Sequence, residues 1–164
     1  MNLPQAFANA RSTFPNFPEE IFRLWLDDRI CHSGWPPNGP EWEGFLFGRC
    51  ISRWQQVVWE KDSFAIAPDS LSSTAFTFIR LIVDAAVGDR ENVMSMYIPD
   101  SKDRFNSALS YVQKNGVLPG TVLLLEGADG YDIVDGNHRI AALLANWSQT
   151  SQVQPPNVNA WVAR

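Results

Sequence analysis

Apolar residues recur at helical spacing in three stretches of the chain. After Pro68-Asp69-Ser70, the positions Ala75, Phe76, Ile79, Ile82, Val83 and Ala86 predict a largely buried helix ending near Gly88. Pro99-Asp100-Ser101 opens a second, with Phe105, Ala108, Leu109 and Val112 on one face and Lys114-Asn115-Gly116 as its C-terminal signal. In the third, Ile140, Leu143, Leu144 and Trp147 share a face, while Ala141, Ala142 and Ala145 favour the helix and let it pack closely. Its expected span is from Asn137 or His138 to about Trp147.

Between and after these helices the pattern changes to strand-length runs. Thr121 to Glu126 and Tyr131 to Val134, joined by Gly127-Ala128-Asp129-Gly130, predict a hairpin. A polar loop from Ser148 to Asn157 leads to a last strand at Val158 to Val162. Val93 to Ile98 reads as a short strand after a polar connection at Asp89, Arg90, Glu91 and Asn92. Val57 to Trp59 and Phe64 to Ile66 read as strands around a charged turn at Glu60-Lys61-Asp62, with Arg49 and Arg53 as near neighbours.

The N-terminal part is less regular. Residues 1–18 contain Pro4, Pro15 and Pro18 without sustained periodicity, which predicts an arm docked by Phe7, Phe14 and Phe17. Pro18 to Asp28 predicts a short amphipathic helix with Ile21, Leu24 and Trp25 on one face. Prolines and glycines make Cys31 to Pro40 a loop. Trp35 and Trp42 beside it either form a partner-binding or base-stacking surface or pin the loop to the core, pinning being the commoner use. The expected fold is α+β, a small mixed sheet with packed helices, formed by one domain over residues 19–164.

Composition narrows the function classes. A chain of 164 residues with 45% hydrophobic residues can bury one core. It contains no apolar run of about 18 residues and opens without the charged-then-apolar pattern of a secretory signal, so a soluble cytoplasmic protein without a membrane segment is expected. Cys31 and Cys50 match no zinc spacing and read as reduced thiols. A net charge of -5 and a pI near 4.9 argue against a protein that coats a polyanion, while leaving room for one basic pocket.

Val134-Asp135-Gly136-Asn137-His138-Arg139 is where chemistry concentrates. It reads as strand, tight turn and helix start, and a helix start presents unpaired N–H groups and about half a positive charge. Two potentially cationic side chains there are disfavoured by a few tenths of a kcal/mol or more unless an anion or carboxylate joins them. A phosphate meets that need. Alternatively, Asp132 or Asp135 satisfies Arg139 while His138 closes the turn.

The segment from Val117 to Ala163 resembles the ParB/sulfiredoxin-like superfamily, in which a hairpin leads to a Gly-x-x-Arg turn at a helix start and then to a final strand. Members of the Asp-Gly-x-His-Arg type look closest. The resemblance implies a phosphate cradle for nucleotide binding and phosphoryl chemistry, contacted by Gly136, His138 and Arg139, with Asn137 as a backbone or cap contact. It implies a nucleoside triphosphate, ATP or CTP, accompanied by magnesium. Asp135, His138, Arg139 and Glu60 are the candidate catalytic residues, with Asp132 as a further acid to test.

Two departures direct the expectation. Sulfiredoxins carry a nucleophilic cysteine immediately before His-Arg, where this chain has Asn137. Partition proteins continue into a helix-turn-helix domain, whereas this chain ends at Arg164, soon after the motif. Its length and Trp-rich first half look like the plasmid fertility-inhibition factors, small members that block conjugative DNA transfer and are described as ATPases and DNases.

Three functions follow as expectations. The first is a nucleoside triphosphatase in which a metal and one or two carboxylates polarise the phosphate, without a Walker A loop. A second is an interaction protein that keeps the fold but acts on a component of a DNA-transfer (type IV secretion) apparatus. The third is a nuclease on DNA or RNA, for which Arg49, Arg53, Arg80, Arg104 and Arg139 would have to be gathered into a groove by the fold, against the net acidity.

Overall fold

Asn2 caps the first helix by accepting a hydrogen bond from the Gln5 N–H at 3.4 Å, and Pro4 lies in the first turn, where no amide donor is needed. In this computed structural model, which describes residues 2–88 and 92–164, Leu3–Thr13 is therefore a helix (α1) and not part of an irregular arm. Its buried residues are Ala6 and Ala10, too small to reveal a face by hydrophobicity. Phe14 and Phe17 are buried at its end, as expected.

The helix expected over Pro18 to Asp28 continues to Ser33. It comprises Glu19–Ile21 (α2), a π-helical turn at Phe22–Leu26 and Asp27–Ser33 (α3). The wider turn brings Phe22, Trp25, Leu26 and Ile30 to the buried side. The irregular loop shortens to residues 34–39, followed by Pro40–Phe45 (α4) and Ile51–Trp54 (α5). Trp42 is buried and meets Trp35 edge-on at 5.7 Å, so these tryptophans pin the loop instead of offering a surface.

Trp59–Ala65 (β1) runs through Glu60-Lys61-Asp62, where a turn was expected. β1 is an edge strand, and an exposed charged run there is compatible with strand structure because it discourages pairing with other chains. Val58 and Arg164, just outside its first residue, exchange both backbone hydrogen bonds, at 2.9 and 3.0 Å.

Ser72 caps Ser73–Val87 (α6), its hydroxyl accepting the Ala75 N–H at 3.1 Å. Of the polar connection expected next, Asp89, Arg90 and Glu91 lie outside the described residues. Val93–Tyr97 (α7) is a helix where a strand was expected. The Asn92 side chain accepts the Met94 and Ser95 N–H groups at 2.8 and 3.3 Å, and the Ser95 hydroxyl returns to the Asn92 N–H at 3.0 Å. This capping box overrides the strand preference of the segment.

Ser101–Asn115 (α8) ends at the left-handed Gly116, as its sequence signals predict. Val122–Gly127 (β2) and Gly130–Asp135 (β3) form the expected antiparallel hairpin, followed by Asn137–Ser148 (α9) and Asn157–Ala163 (β4). The strands form one mixed sheet in the order β1-β4-β2-β3, so the fold is α+β with packed helices. α9 packs against α6 and α8 and buries five successive residues, Ile140 to Leu144.

Contacts group the chain into two compact units, one of Met1–Glu60 with Ala163–Arg164 and one of Lys61–Val162. The division falls after Glu60. Among the described residues no helix is long and apolar enough to cross a membrane.

Candidate functional site

The turn between β3 and α9 is shaped by one irregularity and one glycine. Leu123 pairs with Asp135 but Leu124 with Ile133, so Val134 is an extra residue that bulges from the ladder just before the motif. Gly136 has φ 102° and ψ 18°, and a Cβ there would lie 2.7 Å from Val122 Cγ1. Glycine is required on both counts, conformation and space. The Gly136 carbonyl accepts the Ile140 N–H at 2.9 Å, no side chain caps the helix, and the first-turn amides of α9 keep their donor capacity.

Arg139 turns back from that first turn into the protein. Its Nη2 donates to Asp135 Oδ2 at 2.6 Å, and its Nη1 donates to the carbonyls of Pro119 and Thr121, each at 3.0 Å. Of the two carboxylates able to satisfy it, Asp135 does so. Asp132 instead accepts the hydroxyl of Ser72, the cap residue of α6. Burial pushes the Asp135 carboxyl above its ordinary range, opposed by the Arg139 charge and the Gly136 amide.

His138 is disposed toward its neutral form. Burial lowers its pKa from the ordinary 6.5, the nearby Arg104 lowers it further, and Asp100 acts in the opposite sense. Its Nε2 lies 2.8 Å from the hydroxyl of Ser101, a buried residue at the start of α8. This contact fastens the N-terminal turn of α9 to that of α8.

A pocket of about 620 Å³ opens beside this turn. One side is polar: Asp135, Gly136, Asn137, His138 and Arg139 of the motif, with Arg104 from α8. Phe78, Ile98, Tyr111 and Pro119 supply an apolar and aromatic wall. Arg104 is held by Asp100 at 2.7 Å across an exposed i, i+4 pair, which keeps the Asp100 carboxyl below its ordinary range.

The structure brings Asp135, Gly136, Asn137, His138 and Arg139 together, and it does not add Glu60 to them. Glu60 belongs to the N-terminal unit, where Arg164 binds it at 2.5 Å, and it does not line this pocket. The scattered arginines are divided between the two units. Arg49 and Arg53 lie close together, as expected, beside Cys50 in the N-terminal unit, whereas Arg104 and Arg139 line the pocket of the other. Arg80 is exposed on α6. Sequence reasoning missed Ser101 and Tyr111. Their only signal, with Arg104 and Ala108, is a spacing of three and four residues along α8, which also describes any helix face.

The donor set suits a phosphate: amides at a helix start and an accessible guanidinium. The ring-bearing wall suits a base or sugar. For magnesium the fit is poorer, because Asp135 and Asp100 are both engaged by arginines and, among the described residues, no three His, Cys, Asp or Glu side chains gather around one point. A magnesium ion here would rest mainly on the phosphates of a nucleotide. Comparison of the chain with protein-family models, with curated proteins and with solved structures returned no match.

Proposed function

We propose that this is a ParB/sulfiredoxin-like protein that binds a nucleoside triphosphate, ATP or CTP, through the turn at Gly136 and the start of α9. The observation that carries the reading is a single pocket in which uncapped helix-start amides and Arg104 share the space with an aromatic wall. Phosphate and base chemistry are thus offered side by side. The biological role proposed with it is that of a plasmid fertility-inhibition factor, blocking conjugative DNA transfer as a nucleoside triphosphatase or nuclease.

A non-catalytic reading is favoured by one observation. The pocket carboxylate Asp135 is bonded to Arg139, and Asp132 accepts the Ser72 hydroxyl, so neither stands ready as a base for an attacking water. In that case the protein keeps the phosphate pocket and acts by binding a component of the transfer apparatus.

Calorimetric titration with ATP, ADP and CTP, with and without magnesium, tests the common part. Saturable binding of a triphosphate is expected, and absence of heat with all three would overturn it. Phosphate release from the bound triphosphate separates the two roles: turnover supports the enzyme, and stoichiometric binding without turnover supports the partner-binding inhibitor.

A further inference from the structure

The pocket holds two arginines with opposite freedom. Arg139 makes three hydrogen bonds to fixed groups and its side chain is 23% exposed, so withdrawing it would strand two carbonyls and a half-buried carboxylate. Arg104 is held by Asp100, and both side chains are more than half exposed, at 60% and 54%. Exposed i, i+4 pairs are weak, so opening this one costs about a factor of two in an equilibrium.

Charge balance leads to the same residue. Asp135 neutralises Arg139, Asp100 neutralises Arg104, and half-buried His138 is disposed to remain uncharged. A polyanion entering the pocket therefore meets side chains that cancel until one pair opens. The pair free to open is the exposed one on α8.

We propose that Arg104 is the side-chain cation that receives the phosphate of the ligand, that Asp100 is the internal anion displaced from it, and that Arg139 is a positioning residue that shapes the turn. This deepens the nucleotide-binding reading and rests on it. It assigns to α8 the contact that the Gly-x-x-Arg motif would assign to its own arginine, and it makes Asp100 a built-in competitor for the site. The Asp100 side chain makes no cap hydrogen bond to α8, so replacing it removes no cap bond.

The test measures affinity for ATP and for inorganic tripolyphosphate with wild type, Arg104→Gln, Asp100→Asn, Asp100→Glu and the Arg104→Gln/Asp100→Asn double variant. Thermal unfolding without ligand checks that each protein is folded. Arg104→Gln is expected to weaken both ligands by roughly tenfold or more, the loss of a charged hydrogen bond. Asp100→Asn is expected to tighten both by about two- to threefold, Asp100→Glu to restore the wild-type value, and the gain to vanish in the double variant.

A gain that survives without Arg104 would overturn the exchange and leave only a general charge effect. Unchanged affinity in Arg104→Gln, or an Asp100→Asn effect confined to ATP, would overturn it while the phosphate pocket stands. Failure of the wild type to bind either ligand would overturn both readings.

Discussion

The two units of this chain solve the problem of filling a core in different ways. In the N-terminal unit the core is made of rings: Phe14 stacks on Phe17 at 4.6 Å, Trp25 lies 4.8 Å from Trp54, and Trp54 stacks on Trp59 at 6.2 Å. Apart from the continuous run Glu19–Ser33, which a π turn interrupts, its helices are short, none beyond the 11 residues of α1, and short helices are not stable in isolation. Aromatic packing must hold them. It does so with some loss, since the indole N–H groups of Trp42 and Trp59 are buried without a hydrogen-bond partner.

In the unit of residues 61–162 the core is mainly aliphatic, with Phe105 buried in it, and its helices α6 and α8 run to 15 residues each. α9 buries Ala141 and Ala142 fully, so its backbone can approach α6 and α8 closely. Close backbone approach is what a site built from helix-start amides needs, because amides have no side chain with which to reach a ligand. Bulky rings stabilise short pieces, whereas small residues permit placement of backbone, and the candidate site lies in the unit of the second kind.

The comparison is broken most severely at the rings. Trp54 is fully buried, touches Phe17, Trp25 and Trp59, and donates its indole N–H to the Leu46 carbonyl at 3.1 Å. Trp54→Ala is expected to cost about 3–5 kcal/mol, read from the midpoint of urea unfolding. A loss below about 1 kcal/mol would mean that the rings are replaceable filling.

Gly136→Ala is the matching change at the close backbone approach. The positive φ and the approach of the new methyl group to Val122 Cγ1 are together expected to cost about 2–3 kcal/mol. Val122→Ala in the same protein should recover part of this, and a double-mutant cycle by urea unfolding separates the steric share from the backbone share. If nothing is recovered, space is not the constraint at this turn.

The smallest effect concerns the charge state of His138. Its folded pKa lies below the ordinary 6.5, so the unfolded chain binds the proton more readily. Stability from this residue is therefore present above pH 6.5 and lost as the pH falls through 6.5 toward the folded pKa. Thermal unfolding of wild type and His138→Gln across that window is expected to show the wild type losing more stability on acidification. Parallel curves would mean that the histidine is not held neutral.

The chain states its local structure clearly wherever caps, turns and burial agree. The α8 helix carries a Pro-Asp-Ser start and a glycine end, the hairpin has its glycines at the turn, and α9 has an apolar face behind a cap-rich turn. All three are where they were expected. It states structure misleadingly where one signal dominates the eye: Val93 to Ile98 has strand composition but obeys the Asn92 and Ser95 cap, and α1 hides its face because that face is alanine.

The same division holds for the site. Gly136 through Arg139 are consecutive, so their grouping around a helix start is a property of the sequence alone, as is the need for an anion or a carboxylate beside them. Which acid serves, and that Arg139 also holds the carbonyls of Pro119 and Thr121, follows from how β2 lies beside the turn. That Glu60 belongs to the other unit, that His138 is disposed to be neutral, and that Arg104 and Tyr111 line the pocket with the motif were decided only by tertiary packing. Hydrogen bonds and ion pairs between near neighbours, such as Asp135–Arg139 and Asp100–Arg104, are written in local order, whereas burial and the contacts of separate elements depend on which of them the core brings together.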